Sequence, residues 1–110
     1  MIAHTLIYQF DQSVSDVEQE RFFAGLRDLV LDSGYVEGFD RKDHLWLPVD
    51  EHSKGMTGTT IARYTCPDLE SLRKFSELPQ VHEFIRGWRS RIQYRAAYAN
   101  HEELSPRATS

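Results

Sequence analysis

The side chains of this sequence best suited to moving protons near neutral pH are its histidines, at positions 4, 44, 52, 82 and 101. His82 has the most distinctive setting. It follows Pro79 in the stretch Glu77-Leu78-Pro79-Gln80-Val81-His82-Glu83-Phe84. Proline lacks an amide hydrogen and crowds the carbonyl four residues back, so the helical pattern reaching Leu78 stops or kinks there. His82 then projects from the first turn of a new helical segment, a fixed position suited to proton transfer or polar recognition. A solvated surface histidine satisfies the same pattern, and both readings stand at this point. His4 is a second candidate, set among apolar and aromatic neighbours in Ile2-Ala3-His4-Thr5-Leu6-Ile7-Tyr8-Gln9-Phe10.

The elements that must position these groups follow from the pattern of the chain. Ile2 to Phe10 divides by alternation into His4, Leu6, Tyr8 and Phe10 against Ala3, Thr5, Ile7 and Gln9, which predicts a central strand covered on each side. Ser15 and Glu18 form a capping box that starts a helix near Asp16. Val17, Phe22, Phe23, Leu26, Leu29 and Val30 mark its packing side, and Gly34 ends it. Phe39 to Val49 is predicted as a second strand, Asp50 to Gly58 as an exposed, mobile connection, and Thr59 to Cys66 as a third strand. Asp68 caps a second helix whose stripe is Leu69, Leu72, Phe75 and Leu78. Val81, Phe84, Ile85 and Trp88 continue the pattern after Pro79. Ile92 to Asn100 is the last strand, with Tyr94, Ala96 and Tyr98 on one face and, on the other, Ala97 and Ala99, small residues expected to pack closely against a helix.

The order strand, helix, strand, strand, helix, strand is an α+β, ferredoxin-like βαββαβ arrangement, one antiparallel sheet with the helices on one face. Residues 1–104 form the single domain and 105–110 a disordered tail. The face opposite the helices is expected to carry His4, Leu6, Tyr8, Phe10 and part of Tyr94 and Tyr98, too apolar to leave in water. A second copy covering it gives a homodimer whose two sheets form an α+β barrel.

Composition narrows the classes of function. The 110 residues hold 17 acidic against 13 basic side chains, a net charge of −4 that argues against nucleic acid as a partner. The late arginines Arg86, Arg89, Arg91 and Arg95 read as a solvated helix face, with an anion contact as the lesser alternative. No apolar run is long enough for a membrane span and no leader precedes the first strand, so a soluble, cytoplasmic protein is expected. The single cysteine, Cys66, is expected to be a buried, inert thiol. The histidines lack the paired spacing of a metal site, and no glycine-rich phosphate loop or nucleophile elbow occurs, so neither metal nor cofactor is expected.

The opening strand with its histidine, the Phe22-Phe23 helix, Gly38 before the second strand and the Pro79-to-His82 segment followed by Phe84 resemble the dimeric α+β barrel superfamily. The resemblance is to the stress-responsive A/B barrel (Dabb) domain in particular, over nearly all of residues 1–104. It implies that His82 and His4 match the family's helix and strand histidines. Leu78 stands where the first histidine of the His-Pro-x-His motif would be, and Phe75 at the approximate position of the tyrosine that plant polyketide cyclases of the family use.

With His4 and His82 both at a pocket between sheet and helices, a neutral imidazole there removes a proton from carbon between carbonyls, and a phenol holds the enolate oxygen. His4 and His82 are therefore the candidate catalytic residues, with Tyr8, Tyr64, Phe75, Trp88, Tyr94 and Tyr98 as candidate contacts to a small hydrophobic or aromatic oxygenated ligand. The corresponding activity is that of a cofactor-independent cyclase, isomerase or lyase on a small oxygenated, polyketide-like compound. Two alternatives stand beside it: a non-catalytic, stress-related ligand-binding or structural dimer, favoured by Phe75 and Leu78, and a cofactor-independent monooxygenase, as the superfamily includes.

Overall fold

The structure, a computed structural model, describes residues 1–104. Strand β1 (Ile2–Phe10), helix α1 (Asp16–Asp32), strands β2 (Gly38–Asp43) and β3 (Thr60–Cys66), helices α2 (Leu69–Ser76) and α3 (Pro79–Arg89) and strand β4 (Tyr94–Glu102) follow in order. The strands form one antiparallel sheet in the order β2-β3-β1-β4, with β1 central and the helices on one face. This is the expected ferredoxin-like order, with the second helix in two pieces. No helix among the described residues is long and apolar enough to cross a membrane.

Local chemistry accounts for the helix ends. Ser15 accepts a hydrogen bond from the Glu18 amide at 3.1 Å, and Asp68 accepts one from the Ser71 amide at 2.8 Å, each satisfying a first-turn donor that would otherwise be free. Gly34 takes a φ of +84° just past α1, the left-handed conformation that a side chain would strain. Leu78 is extended, and Pro79 takes the first position of α3, where its missing amide costs no helical bond. His82 consequently lies in the opening turn of α3.

Two expectations about faces are overturned. His4, Leu6, Tyr8 and Phe10, with Tyr94 and Tyr98 in register beside them, look toward the helices, where Tyr8 and Phe10 join Phe22, Phe23, Val30, Leu72 and Phe75 in the buried core. The register pairs His4 with Tyr64 and Leu6 with Ala62, so the buried Ala62, Tyr64 and Cys66 of β3 fall on the same side, while the buried Thr65 lies on the other, opposite Ala3. The face away from the helices instead carries Thr5, Ile7, Gln9, Ile61, Arg63, Arg95, Ala97 and Ala99. Ala97 and Ala99 are exposed there and meet no helix. Val17 and Leu69, placed by periodicity on packing stripes, are also exposed, at 59% and 62%, because each sits in the first turn of its helix beyond the edge of the sheet contact.

The second strand is shorter than predicted. After Asp43 the chain turns into a 3-10 segment, Pro48–His52, because Asp50 accepts hydrogen bonds from His44 Nε2 and from the Leu47 amide, both at 2.8 Å. The rest of the connection returns across one end of the open sheet face: Gln9 donates to the Thr57 carbonyl at 3.2 Å, and Gly58 sits where an added Cβ would collide with the Ile7 side chain. The last strand runs further than predicted, to Glu102, and Glu103 donates its amide to the Met1 carbonyl. The tail assigned to 105–110 lies outside the described residues. Cys66 is fully buried, and burial raises its thiol pKa, as suits an inert thiol.

Candidate functional site

A cavity of about 620 Å³ lies between the sheet and the three helices. Its size is in the range of small-molecule sites, which are concave and mostly apolar with a few converging polar groups. Strands β1, β3 and β4 provide its floor through His4, Tyr8, Tyr64, Tyr94, Tyr98 and Asn100. Helix α1 provides one wall through Phe22, Leu26 and Leu29, and α2 and α3 the other through Phe75, His82, Phe84 and Arg89. Leu69, Ile85 and Tyr98 are more than two-fifths exposed and form part of the rim.

The polar centre is His4. Its Nδ1 donates to Asn100 Oδ1 at 2.6 Å, so the proton resides on Nδ1 and Nε2 is left as the acceptor. The ring lies between two phenols, with its centroid 4.7 Å from that of Tyr64 and 4.9 Å from that of Tyr98. Burial lowers the His4 pKa below the ordinary 6.5; the Asn100 bond opposes that shift and the charge of His101 adds to it. At neutral pH the imidazole is therefore uncharged and able to accept a proton.

Tyr8 and Tyr64 are buried, and burial raises both phenol pKa values well above the ordinary 10, so both stay protonated donors. Neither phenol meets a hydrogen-bond partner among the described residues, and no sealed side-chain oxygen or nitrogen is left unpaired. Both oxygens therefore open onto the cavity. Phe75 is buried behind Tyr64, its ring edge-on at 5.2 Å, and supplies apolar wall at that end.

Seven of the eight side chains selected from the sequence thus line one cavity: His4, Tyr8, Tyr64, Phe75, His82, Tyr94 and Tyr98. Trp88 does not. It packs edge-on against Phe22 at 5.6 Å under the Arg91 guanidinium. Asn100 and Arg89 were missed as site residues. Asn100 is separated from His4 by 96 positions, and only the β1–β4 register, in which the two are directly opposed, brings them together. The other histidines have separate surroundings. His44 bonds to Asp50, His101 accepts from the Thr5 hydroxyl at 2.8 Å on the opposite sheet face, and His52 is exposed at the end of the 3-10 segment.

No protein-family model and no curated protein sequence matches the chain. Solved structures do. The At3g17210 protein of Arabidopsis thaliana is similar with a TM-score of 0.80 at 18% identity, over 96% of this chain and 98% of that one. A hydroxynitrile lyase from Passiflora edulis is similar with a TM-score of 0.75 at 15% identity, over 96% of each chain. A Dabb family protein with a ferredoxin-like fold from Mesorhizobium loti is similar with a TM-score of 0.72 at 14% identity, over 94% of this chain and 97% of that one. At these identities the likeness is one of fold: the chain has a ferredoxin-like fold.

Proposed function

We propose that the chain binds a small oxygenated compound in the cavity and acts on it, without a cofactor, by histidine acid/base chemistry as a cyclase, isomerase or lyase. The observation that carries the reading is the His4 arrangement: a neutral imidazole fixed through Nδ1 by Asn100, with Nε2 free among phenols in an apolar cavity. A hydroxynitrile lyase with the same fold supports a lyase as one member of that set.

In the proposed step His4 Nε2 takes a proton from carbon next to a carbonyl. The electron pair of the broken C–H bond moves into an enolate, whose oxygen accepts a hydrogen bond from a phenol at Tyr64 or Tyr98. The enolate carbon then attacks a second carbonyl of the same molecule to form a C–C bond, and the His4 imidazolium returns its proton to the resulting alkoxide, directly or by relay through His82, which passes on one proton for each it accepts. Run in reverse, the same steps cleave a C–C bond and describe a lyase. Atoms and charge balance with no outside oxidant or reductant.

The test is deuterium exchange at acidic carbon, followed by NMR across a panel of β-diketones, β-keto acids and cyanohydrins, with wild-type protein and the His4→Ala and His82→Ala variants. The expected result is exchange or turnover above the buffer rate, reduced about a hundredfold or more in His4→Ala. Absence of exchange across the panel, or exchange that His4→Ala leaves intact, overturns the catalytic reading. The second reading, ligand binding without turnover, rests on the apolar wall at Phe75, and binding that survives both histidine substitutions favours it.

A further inference from the structure

The cavity is cationic in an otherwise acidic protein. The sequence carries a net charge of −4, yet no aspartate or glutamate lines the cavity, whereas Arg73 and Arg89 do. The two arginines differ in what they can offer a ligand. Arg73 is held by two acids of its own helical neighbourhood, Glu70 and Glu77, the latter at 2.9 Å, which neutralise it. Arg89 has no acidic partner among the described residues. Its guanidinium lies 4.3 Å from the centroid of Tyr94, with Nη1 donating to the Tyr94 carbonyl at 3.1 Å. Those contacts fix its plane and leave further N–H donors for a ligand. Its charge also acts on the buried Tyr8 phenol, which places its field inside the cavity.

The position of Arg89 within the cavity carries a second consequence. His82 lies in the opening turn of α3 and Arg89 ends it, about 10 Å apart along the helix at 1.5 Å per residue. His4 and Tyr8 are similarly separated along β1, about 13 Å at the rise of a strand. His4 bonds to Asn100, while Arg89 lies on Tyr94 at the other end of β4. The cavity therefore has a histidine end and an arginine end. A last-turn arginine also complements the helix dipole, but Arg86 does so from the same turn without reaching the cavity.

We infer that Arg89 is an anion anchor and that the ligand is an elongated aromatic or acyl carboxylate, its carboxylate on Arg89 and its reactive carbon at His4. The inference rests on the cavity being a ligand site, as proposed above, and adds the charge and polarity of the ligand.

Biphenyl-4-carboxylate and its neutral isostere biphenyl-4-carboxamide test the anchor, titrated calorimetrically at low salt into full-length wild type, Arg89→Met and Arg86→Met. Methionine retains the aliphatic contact with Tyr94 and removes the charge. The expected result is that wild type and Arg86→Met bind the carboxylate about tenfold tighter than the amide, a charge-assisted bond's worth, and that Arg89→Met loses the preference while still binding the amide. Retained amide binding in Arg89→Met also reports that the variant is folded. Equal affinities in wild type, a preference that survives Arg89→Met, or an equal loss in Arg86→Met overturns the anchor while leaving the ligand site standing. Failure of both probes to bind wild type overturns the anchor and counts against the ligand site itself.

Discussion

His4 has one ring nitrogen occupied by Asn100 and the other free in the cavity, and that asymmetry gives its chemistry a direction. Asn100→Leu retains the volume at this exposed position but deletes the bond. Because the Asn100 bond raises the His4 pKa against the lowering effect of burial, the variant should titrate at lower pH than wild type, with the neutral ring shared between two tautomers. Long-range ¹⁵N correlations across a pH series measure both quantities. An unchanged or raised midpoint, with a single Nδ1–H tautomer retained, would contradict the assigned role. His4 also affects stability. Its folded pKa lies below the ordinary 6.5, so as pH falls through 6.5 the unfolded chain takes up the proton first, and stability should decline down to the folded pKa and then level. His4→Gln should remove that component from urea unfolding measured at successive pH values. Little of this was legible beforehand. A histidine within an apolar alternation is visible in Ile2 to Phe10, but its partner is an asparagine in the last strand, and nothing local to either residue signals the pair.

The elements were more legible, because their ends are set by neighbours in sequence. Ser15, Asp68 and Pro79 act through bonds or clashes within four residues, and each helix begins where those residues place it. Ser15→Ala should cost about 1 kcal/mol in chemical denaturation, the usual worth of such a cap, and a loss near zero would show that tertiary contacts alone hold the first turn of α1. Around Pro79 the amides of Val81 and His82 reach only the Leu78 carbonyl, at 3.1 and 3.5 Å. Amide exchange from Glu77 to Val81 should therefore be faster than within α2 or the body of α3, and uniform protection across the segment would argue that the two helices behave as one. The early end of β2 was not legible. Phe39 to Val49 contains enough apolar residues for a strand, but the Asp50 carboxylate draws His44 and Leu47 into a turn, and a side chain competing for backbone donors leaves no alternation to read. The face of β1 was ambiguous for a related reason. Both of its alternating sets contain apolar residues, and the choice between them is made by which residues of β3 and β4 lie in register.

At the scale of the molecule, the corrected faces change the physical basis for a dimer while keeping the expectation. The sheet face left open carries a row of apolar side chains across three strands, Ile61, Ile7 and Ala97, paired directly in register, with Ala99 in the neighbouring row. Ile7 and Ile61 are 42% and 44% exposed, and Arg63, Arg95 and Gln9 lie around them. An apolar centre with a polar surround, built partly of alanine, allows a second sheet to approach closely. A homodimer through this face should run near 26 kDa by light scattering at micromolar concentration, twice the 12.8 kDa chain mass. Ile7→Lys, which sets a charge at the middle of the row, should give a monomer. Ile7 points away from the cavity, so the same variant should bind a cavity ligand with wild-type affinity if the sheet holds its shape alone. Trp46 adds a local reading. It is 63% exposed and borders Gln9 and Arg95 at the edge of the open face, so its fluorescence should shift to the blue as concentration drives association and stay unshifted in Ile7→Lys. A wild-type monomer by scattering would leave the apolar row solvated and remove the basis for pairing the two sheets; a dimer indifferent to Ile7→Lys would place the contact on another surface.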